Sequence, residues 1–149
     1  MADLKPDVVC ANYDFSASLL AKYVKPYTIV RKAGKKIGVI GLLTDISRVV
    51  DRNIAAEFQY KDPAEVTNSI AEFLKNEKSC DMVICLSHLG YDGDRRLASQ
   101  IRNVDVIVGG HSHTLLHRLQ KETDLDGKQV VIVQNWKWGL NVGQLTVTE

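Results

Sequence analysis

Two histidines, one residue apart, directly follow an apolar, strand-like run of the chain. The run Val104–Val108 ends in Gly109-Gly110, and His111-Ser112-His113 comes next. A third histidine, His88, closes the earlier run Met82–Ser87 in the same way. Ligands of open α/β sheets bind outside the carboxyl ends of the strands, and neutral imidazole is a common ligand of divalent metals. The spacing therefore predicts a metal site made of His88, His111 and His113.

The backbone beyond the glycine pair decides whether His111 and His113 converge. Side chains two residues apart on an extended segment point to the same side, so His111 and His113 can converge provided the backbone stays extended after Gly110. The two glycines leave room where the chain turns tightly or approaches an ion. The second nitrogen of each imidazole also needs an orienting partner. The candidates left open are Ser112, Asp45, Asp92 and the backbone.

A single loop histidine is usually a solvated surface residue, and that alternative applies to each of these three taken alone. Their grouping at the ends of neighbouring strands favours a site, because titratable clusters gather at functional sites. His117 either joins His113 on a helical turn or faces water, and the adjacent Arg118 favours water. Three nitrogen donors suit one zinc ion, whereas a hydrolytic pair of ions also needs bridging carboxylate oxygen.

The composition is that of an ordinary globular protein with one domain. The 149 residues are 45% hydrophobic and 25% charged, with a formal net charge of +1. Without a basic stripe, binding of a nucleic-acid polymer has little electrostatic support. Cys10, Cys80 and Cys85 lack C-x-x-C spacing, so we expect buried free thiols. No apolar run approaches the ~20 residues that span a bilayer, and no hydrophobic signal core begins the sequence.

The elements that must position the histidines alternate between strands and helices. A capping box at Asp62-Pro63-Ala64-Glu65 predicts the start of a helix that ends near Asn76. This alternation is typical of a parallel sheet, and the closing strands predict an antiparallel edge. A doubly wound nucleotide-binding domain is disfavoured because no G-x-G-x-x-G follows the first strand. The predicted strands are 8–11, 27–30 and 37–42 (a hairpin), 81–87, 104–108, 130–133 and 140–147, with a second helix over 94–101.

The chain resembles the calcineurin-like metallophosphoesterases at these positions. Leu86-Ser87-His88-Leu89-Gly90 and Gly109-Gly110-His111-Ser112-His113-Thr114 are similar to the two C-terminal metal motifs of that family. Lys25-Pro26-Tyr27 and Trp138-Gly139 follow the order of its branch of 5′-nucleotidases and 2′,3′-cyclic-nucleotide phosphodiesterases. The resemblance implies an α/β fold that is half of a four-layer α/β/β/α sandwich. Its mixed sheet would have a parallel core and antiparallel edge strands.

The same resemblance implies a dinuclear site and a hydrolase. His88 and His111 would bind one divalent ion and His113 the other, with zinc, manganese or iron as the metals. Such a pair binds phosphate and activates water for in-line attack. The implied reaction is hydrolysis of phosphate esters, above all nucleotide 5′-phosphomonoesters. Relatives in this family are often exported, which implies an exported or periplasmic protein.

The acidic half of the family's site is missing from this sequence. No Asp-x-His motif occurs, and Asn12-Tyr13-Asp14-Phe15 only superficially imitates the family's Asn-His pair. We expect Asn12 to be a hydrogen-bonding residue at a strand end, with metal ligation as the alternative. Residues 1–149 are therefore expected to form the C-terminal half of one metallophosphoesterase domain, inactive alone. It would pair with a complementing N-terminal half or self-associate through an apolar sheet face. The alternative is a catalytically incomplete fragment, or a metal-binding or interaction module.

Overall fold

A six-stranded mixed sheet is the frame of the protein, in a computed structural model that describes residues 6–147. The strands in chain order are β1 Val8–Val9, β2 Tyr13–Asp14, β3 Val24–Lys25, β4 Tyr27–Lys32, β5 Lys35–Leu43, β6 Gln59–Tyr60, β7 Met82–His88, β8 Val106–Val108, β9 Gln120–Thr123 and β10 Gln129–Val133. The main sheet has the order β4-β5-β7-β8-β10-β9, and the other four strands form two short pairs. Strands β5, β7, β8 and β10 are parallel, while β4 and β9 are antiparallel at the edges. The predicted parallel core with antiparallel edges is confirmed.

Three α-helices and two 3₁₀-helices connect the strands. They are α1 Arg52–Ala55, α2 Pro63–Asn76 and α3 Tyr91–Ala98, with the 3₁₀-helices at Leu19–Lys22 and Ile46–Arg48. Helix α2 begins as predicted, and Asp62 Oδ1 accepts a hydrogen bond from the Glu65 N–H at 2.9 Å. None of the helices among residues 6–147 is long and apolar enough to cross a membrane.

The prediction of a helix over 94–101 is wrong at both ends. Helix α3 starts at Tyr91, directly after Gly90, whose φ of 85° is costly for any other residue. Its first N–H donates to Ser112 Oγ at 3.0 Å, a partner that is distant in the sequence and leaves no local signal. Ile101 is buried as expected, but it lies beyond the helix.

The hydrophobic core lies on one face of the sheet, beneath α2 and α3. Alternate strand residues point into it, as the two-residue period of a strand requires. Cys80 and Cys85 are buried and Cys10 is partly buried, all as free thiols, which confirms their prediction. Burial raises the pKa of the Cys85 thiol to about 12. The fully buried core side chains include Ile40, Leu74, Val83, Cys85, Ile101, Ile107, Val130 and Ile132.

The opposite face of the sheet, here called the second face, is apolar but only partly covered. Val39, Ile84 and Val106 lie side by side on it, because Val39 pairs with Ile84 and Ile84 pairs with Val106. Leu86, next along β7, is 50% exposed, and Val30 on the edge strand is 47% exposed. Such a face is expensive to leave in water.

The predicted strand over 140–147 is wrong. Residues 141–147 carry no helix or strand, and Val142 is 96% exposed. The place beside β10 is occupied by β9, which pairs with it through a hairpin turn at Asp126-Gly127. The segment 141–147 therefore lies outside the sheet.

Asn12 is a hydrogen-bonding residue at a strand end, as expected. It is fully buried, its Nδ2 donates to the Leu43 carbonyl at 2.7 Å, and its Oδ1 accepts from the Leu43 N–H at 2.9 Å. The amide thus completes the hydrogen bonding at the end of β5. These bonds engage both polar atoms of Asn12.

Asn12→Ala is expected to lower the free energy of unfolding by about 2–3 kcal/mol, because it leaves a buried N–H and a buried carbonyl unpaired. Urea denaturation followed by circular dichroism measures the change. Asn76→Ala, at an exposed position in the last turn of α2, is the matched control. An equal, small change in both variants would contradict this account of Asn12.

Candidate metal centre

The ends of β7 and β8 bring His88 and the glycine pair together. The two strands are parallel neighbours in which Leu86 pairs with Val108. Two residues further along, His88 therefore stands level with Gly110. A β-carbon on Gly110 would lie 3.0 Å from His88 Nδ1, so the imidazole rests against the bare glycine backbone. The glycine is needed here for close approach.

The imidazoles of His88 and His111 are in contact. Their ring centroids are 5.1 Å apart, with an edge-on angle of 65° between the planes. His111 also lies over Gly90, where a β-carbon would come within 3.4 Å of its Cδ2. All three loop residues His111, Ser112 and His113 are exposed, so the pair faces solvent at the carboxyl edge of the sheet.

The backbone after Gly110 is not extended, so the condition for convergence along a strand is not met. His111 and His113 have φ angles of 72° and 54°, in the left-handed region. The Ser112 N–H donates to the Gly110 carbonyl at 2.9 Å, which closes a tight turn over Gly110-His111-Ser112. Their placement follows from this turn rather than from the period of a strand. Left-handed backbone at non-glycine residues is sparsely populated and is found disproportionately at functional sites.

Ser112 holds the histidine loop to its surroundings. Its hydroxyl accepts from the Tyr91 N–H at 3.0 Å, lies 2.9 Å from Thr114 Oγ1 and donates to Gln134 Oε1 at 3.1 Å. Ser112 is therefore a loop anchor, engaged with a helix start and a strand end. Of the other suggested orienting groups, Asp45 caps the 3₁₀-helix after β5 by accepting from the Ser47 N–H at 3.0 Å. His117 is exposed, and no helical turn joins it to His113.

The electrostatic environment keeps His88 neutral. Partial burial lowers its pKa first, and the nearby His111 and His113 lower it further. Only a neutral imidazole offers a lone pair to a cation, so this shift prepares His88 to be a ligand at neutral pH.

The histidine cluster suits part of a metal site. Two touching imidazoles beside a glycine that leaves space fit the nitrogen ligands of one divalent ion. Within residues 6–147, however, no three His, Cys, Asp or Glu side chains lie close enough to hold an ion by themselves. The donors present do not include the bridging carboxylate of a two-ion centre. The assignment of His88, His111 and His113 as ligands stays a prediction.

Asp94 is a buried residue beside the candidate site that the sequence patterns did not single out. Its side chain is fully buried, and Ser87 Oγ donates to its Oδ1 at 2.5 Å. Burial raises the pKa of Asp94 to about 6, although the Ser87 hydroxyl acts in the opposite direction. A signal was present, because Asp94 lies three and four residues before the inward-facing Leu97 and Ala98 of the same helix.

The raised pKa of Asp94 makes stability depend on pH. A carboxyl that is harder to ionise in the folded state stabilises the fold below about pH 4 and loses that contribution as the pH rises through about 6. Asp94→Asn removes this dependence. The native chain should therefore lose up to about 3 kcal/mol of unfolding free energy relative to Asp94→Asn between pH 4 and 7. Urea titrations of both chains across this range measure the difference between their free energies of unfolding. The contributions of the other carboxylates are common to both chains and cancel in this difference. A difference that does not change with pH would contradict the raised pKa of Asp94.

Comparisons with known proteins identify the fold and the relatives of the chain. No protein-family model matches it. A crystal structure of a 5′-nucleotidase precursor from Thermus thermophilus superimposes with a TM-score of 0.82 and 36% identity, covering 89% of this chain and 28% of that one. The calcineurin-like phosphoesterase YfkN of Bacillus subtilis shares the fold, with a TM-score of 0.63, 23% identity and coverage of 87% of this chain and 46% of that one.

Sequence relatives agree with the structures. A 5′-nucleotidase-related protein of Glossina morsitans morsitans is 34% identical over 96% of this chain and 28% of its own length. The snake venom 5′-nucleotidase of Crotalus adamanteus is 30% identical over 88% of this chain and 24% of its own length.

The chain has the fold of the calcineurin-like metallophosphoesterases. Within that class it is a homologue of the 5′-nucleotidases, which confirms the resemblance drawn from its histidine motifs. It spans about a quarter of the length of the curated relatives that it matches, at 28% and 24% of the first two.

Proposed function

We propose that this chain supplies the histidine ligands of a two-metal site that hydrolyses phosphate esters, most of all nucleotide 5′-phosphomonoesters. The observation that carries the proposal is the contact of His88 with His111, 5.1 Å between ring centroids, at the ends of neighbouring parallel strands. The 5′-nucleotidase relatives support phosphoester hydrolysis as the reaction.

Each part of the histidine cluster has a task in this proposal. His88 and His111 hold one ion, and His113 reaches the second from the other side of the tight turn at Ser112. Divalent ions, when bound there, neutralise the phosphate and lower the pKa of the attacking water. Imidazole donors suit zinc or iron, and manganese depends more on carboxylates that this cluster lacks. Ser112 fixes the loop, so the loop loses little further conformational freedom when a cation binds.

The missing carboxylates are proposed to come from a complementing N-terminal half, with residues 1–149 as the C-terminal half of one domain. The N-terminal half is proposed to dock on the second face of the sheet, where Val39, Ile84 and Leu86 form an apolar strip. The strip runs along β7 toward His88, so a sheet packed on it would reach the histidines. An apolar layer on this face would complete the four-layer sandwich. Export of the whole protein is a further proposal, supported by the venom relative.

A second candidate is a metal-binding or interaction module without activity. It is favoured by the absence, within residues 6–147, of a three-donor group that could hold an ion unaided. The two candidates differ in whether phosphate is released.

Phosphate release from adenosine 5′-monophosphate, with Mn²⁺ or Zn²⁺ added, separates the two. The 149-residue chain is assayed alone and mixed with the N-terminal segment of a related 5′-nucleotidase. We expect release from the mixture only, and none when the chain carries His88→Ala. A mixture that associates but stays inactive would favour the module. Activity of the chain alone would contradict the proposed need for outside carboxylates.

A further inference from the structure

Asp94 lies between the two strand ends that deliver the histidines. Through Oδ1 it accepts the Ser87 hydroxyl at 2.5 Å, and Ser87 directly precedes His88. The same hydroxyl accepts a hydrogen bond from the Leu89 N–H at 3.2 Å. It therefore links Ser87 and Leu89, the two residues on either side of His88. One oxygen of Asp94 thereby fixes the end of β7.

The other oxygen of Asp94 lies against the end of β8. A β-carbon on Gly109 would overlap Asp94 Oδ2, so the carboxyl occupies the space that the glycine leaves. Gly109 itself is held by its N–H, which donates to the Val133 carbonyl at 2.8 Å. His111, the first residue of the His111–His113 loop, follows two residues later. Asp94 thus touches both histidine-bearing segments at their origin.

The burial of this carboxyl is costly. Asp94 is fully buried, and its Oδ2 has no hydrogen-bond partner within residues 6–147. A polar group buried with an unmatched oxygen destabilises the fold, and an apolar side chain of this size would avoid the cost. A role at the two strand ends would explain why a carboxyl stands at this position despite the cost of burying it.

We propose that Asp94 is a positioning residue that holds His88 and the His111–His113 loop in register for a divalent cation. The inference rests on the proposed function for the role of the histidines, but the positioning itself is measurable without metal. Asp94 contacts no cation in this role. It acts through Ser87 on one side and Gly109 on the other.

The first test uses nuclear Overhauser effects between the His88 and His111 rings in the metal-free, full-length chain. A centroid separation of 5.1 Å gives a cross-peak in the native chain. We expect Asp94→Asn, which keeps an acceptor for Ser87, to retain it and Asp94→Ala to lose it. Glu72→Ala, which removes an exposed carboxylate from α2 away from the histidines, is the control. Retention of the cross-peak in folded Asp94→Ala would overturn the inference.

The second test measures Zn²⁺ affinity by calorimetry beside the urea midpoint of each variant. Groups that orient metal ligands typically contribute 10–100-fold in affinity, so we expect a loss of about 10-fold or more for Asp94→Ala and under about threefold for Asp94→Asn. A change in the urea midpoint with unchanged Zn²⁺ affinity would mark Asp94 as merely structural and overturn the inference. If neither the native chain nor its mixture with the N-terminal segment binds Zn²⁺ while the cross-peaks behave as expected, the proposed function fails and the positioning stands.

Gly109→Ala keeps the inference testable if Asp94→Ala does not fold, and it completes a double-mutant cycle if Asp94→Ala folds. The new methyl group meets Asp94 Oδ2, so Gly109→Ala alone should displace the carboxyl, weaken the ring cross-peak and lower Zn²⁺ affinity about 10-fold. In an Asp94→Ala background that folds, the space is free and the same change should cost under about threefold. Equal costs in both backgrounds, or a silent Gly109→Ala, would overturn the inference.

Discussion

His111→Ala is expected to lower the affinity of the chain for Zn²⁺ by more than about 100-fold. Removal of a direct ligand exceeds the 10–100-fold loss typical of groups that only orient ligands. His111 is the ring in contact with His88, and the neutral state of His88 leaves its lone pair free for the cation. Isothermal titration with Zn²⁺ at about pH 7.5, where imidazole is mostly neutral, measures the loss on the folded variant.

The matched control for this result is His117→Ala. His117 is an exposed histidine on the same connection between β8 and β9, and no structural element joins it to the cluster. Its replacement should change Zn²⁺ affinity by less than about twofold, because a solvated side chain contributes little. Equal losses for both variants would place the cation elsewhere.

Leu86→Lys should lower association with an N-terminal half at least about 10-fold. Leu86 is 50% exposed on the second face, between Gly41 and Val108 on the neighbouring strands. A docked sheet would bury the lysine ammonium without a partner, at a cost of several kcal/mol. Sedimentation velocity of the mixture measures the bound fraction. Sedimentation velocity of the chain alone measures self-association through the same face, which Leu86→Lys should also lower.

Leu125→Lys is the control for this surface, since Leu125 is 52% exposed in the turn between β9 and β10. It adds the same charge and removes the same apolar side chain away from the second face. Association that resists Leu86→Lys but falls with Leu125→Lys would contradict the assignment of the docking surface.

Local sequence signals predicted the elements that depend on local physics. The hairpin over 27–42 and the start of α2 at Pro63 follow from alternating apolar residues, a glycine turn and a capping aspartate. The strands that end at His88 and Val108 were predicted within two residues of their observed bounds. These elements set the carboxyl edge of the sheet, so the region of the candidate site followed from the sequence.

Errors occurred where distant contacts decide the structure. Helix α3 starts at Tyr91 because Ser112, far along the chain, accepts its first N–H. The segment 140–147 contains enough apolar residues for a strand, but β9 rather than this segment pairs with β10. The turn at His111-Ser112-His113 and the buried Asp94 likewise depend on tertiary contacts that no local window contains. The neighbourhood of the histidines could be predicted, but the geometry that joins them could not.

The most direct measurement of the central claim is anomalous diffraction from crystals of the 149-residue chain grown with Zn²⁺. We expect an anomalous zinc peak about 2.0–2.1 Å from an imidazole nitrogen of both His88 and His111, with any second peak beside His113. Peaks only at other residues, or none at saturating Zn²⁺, would contradict it.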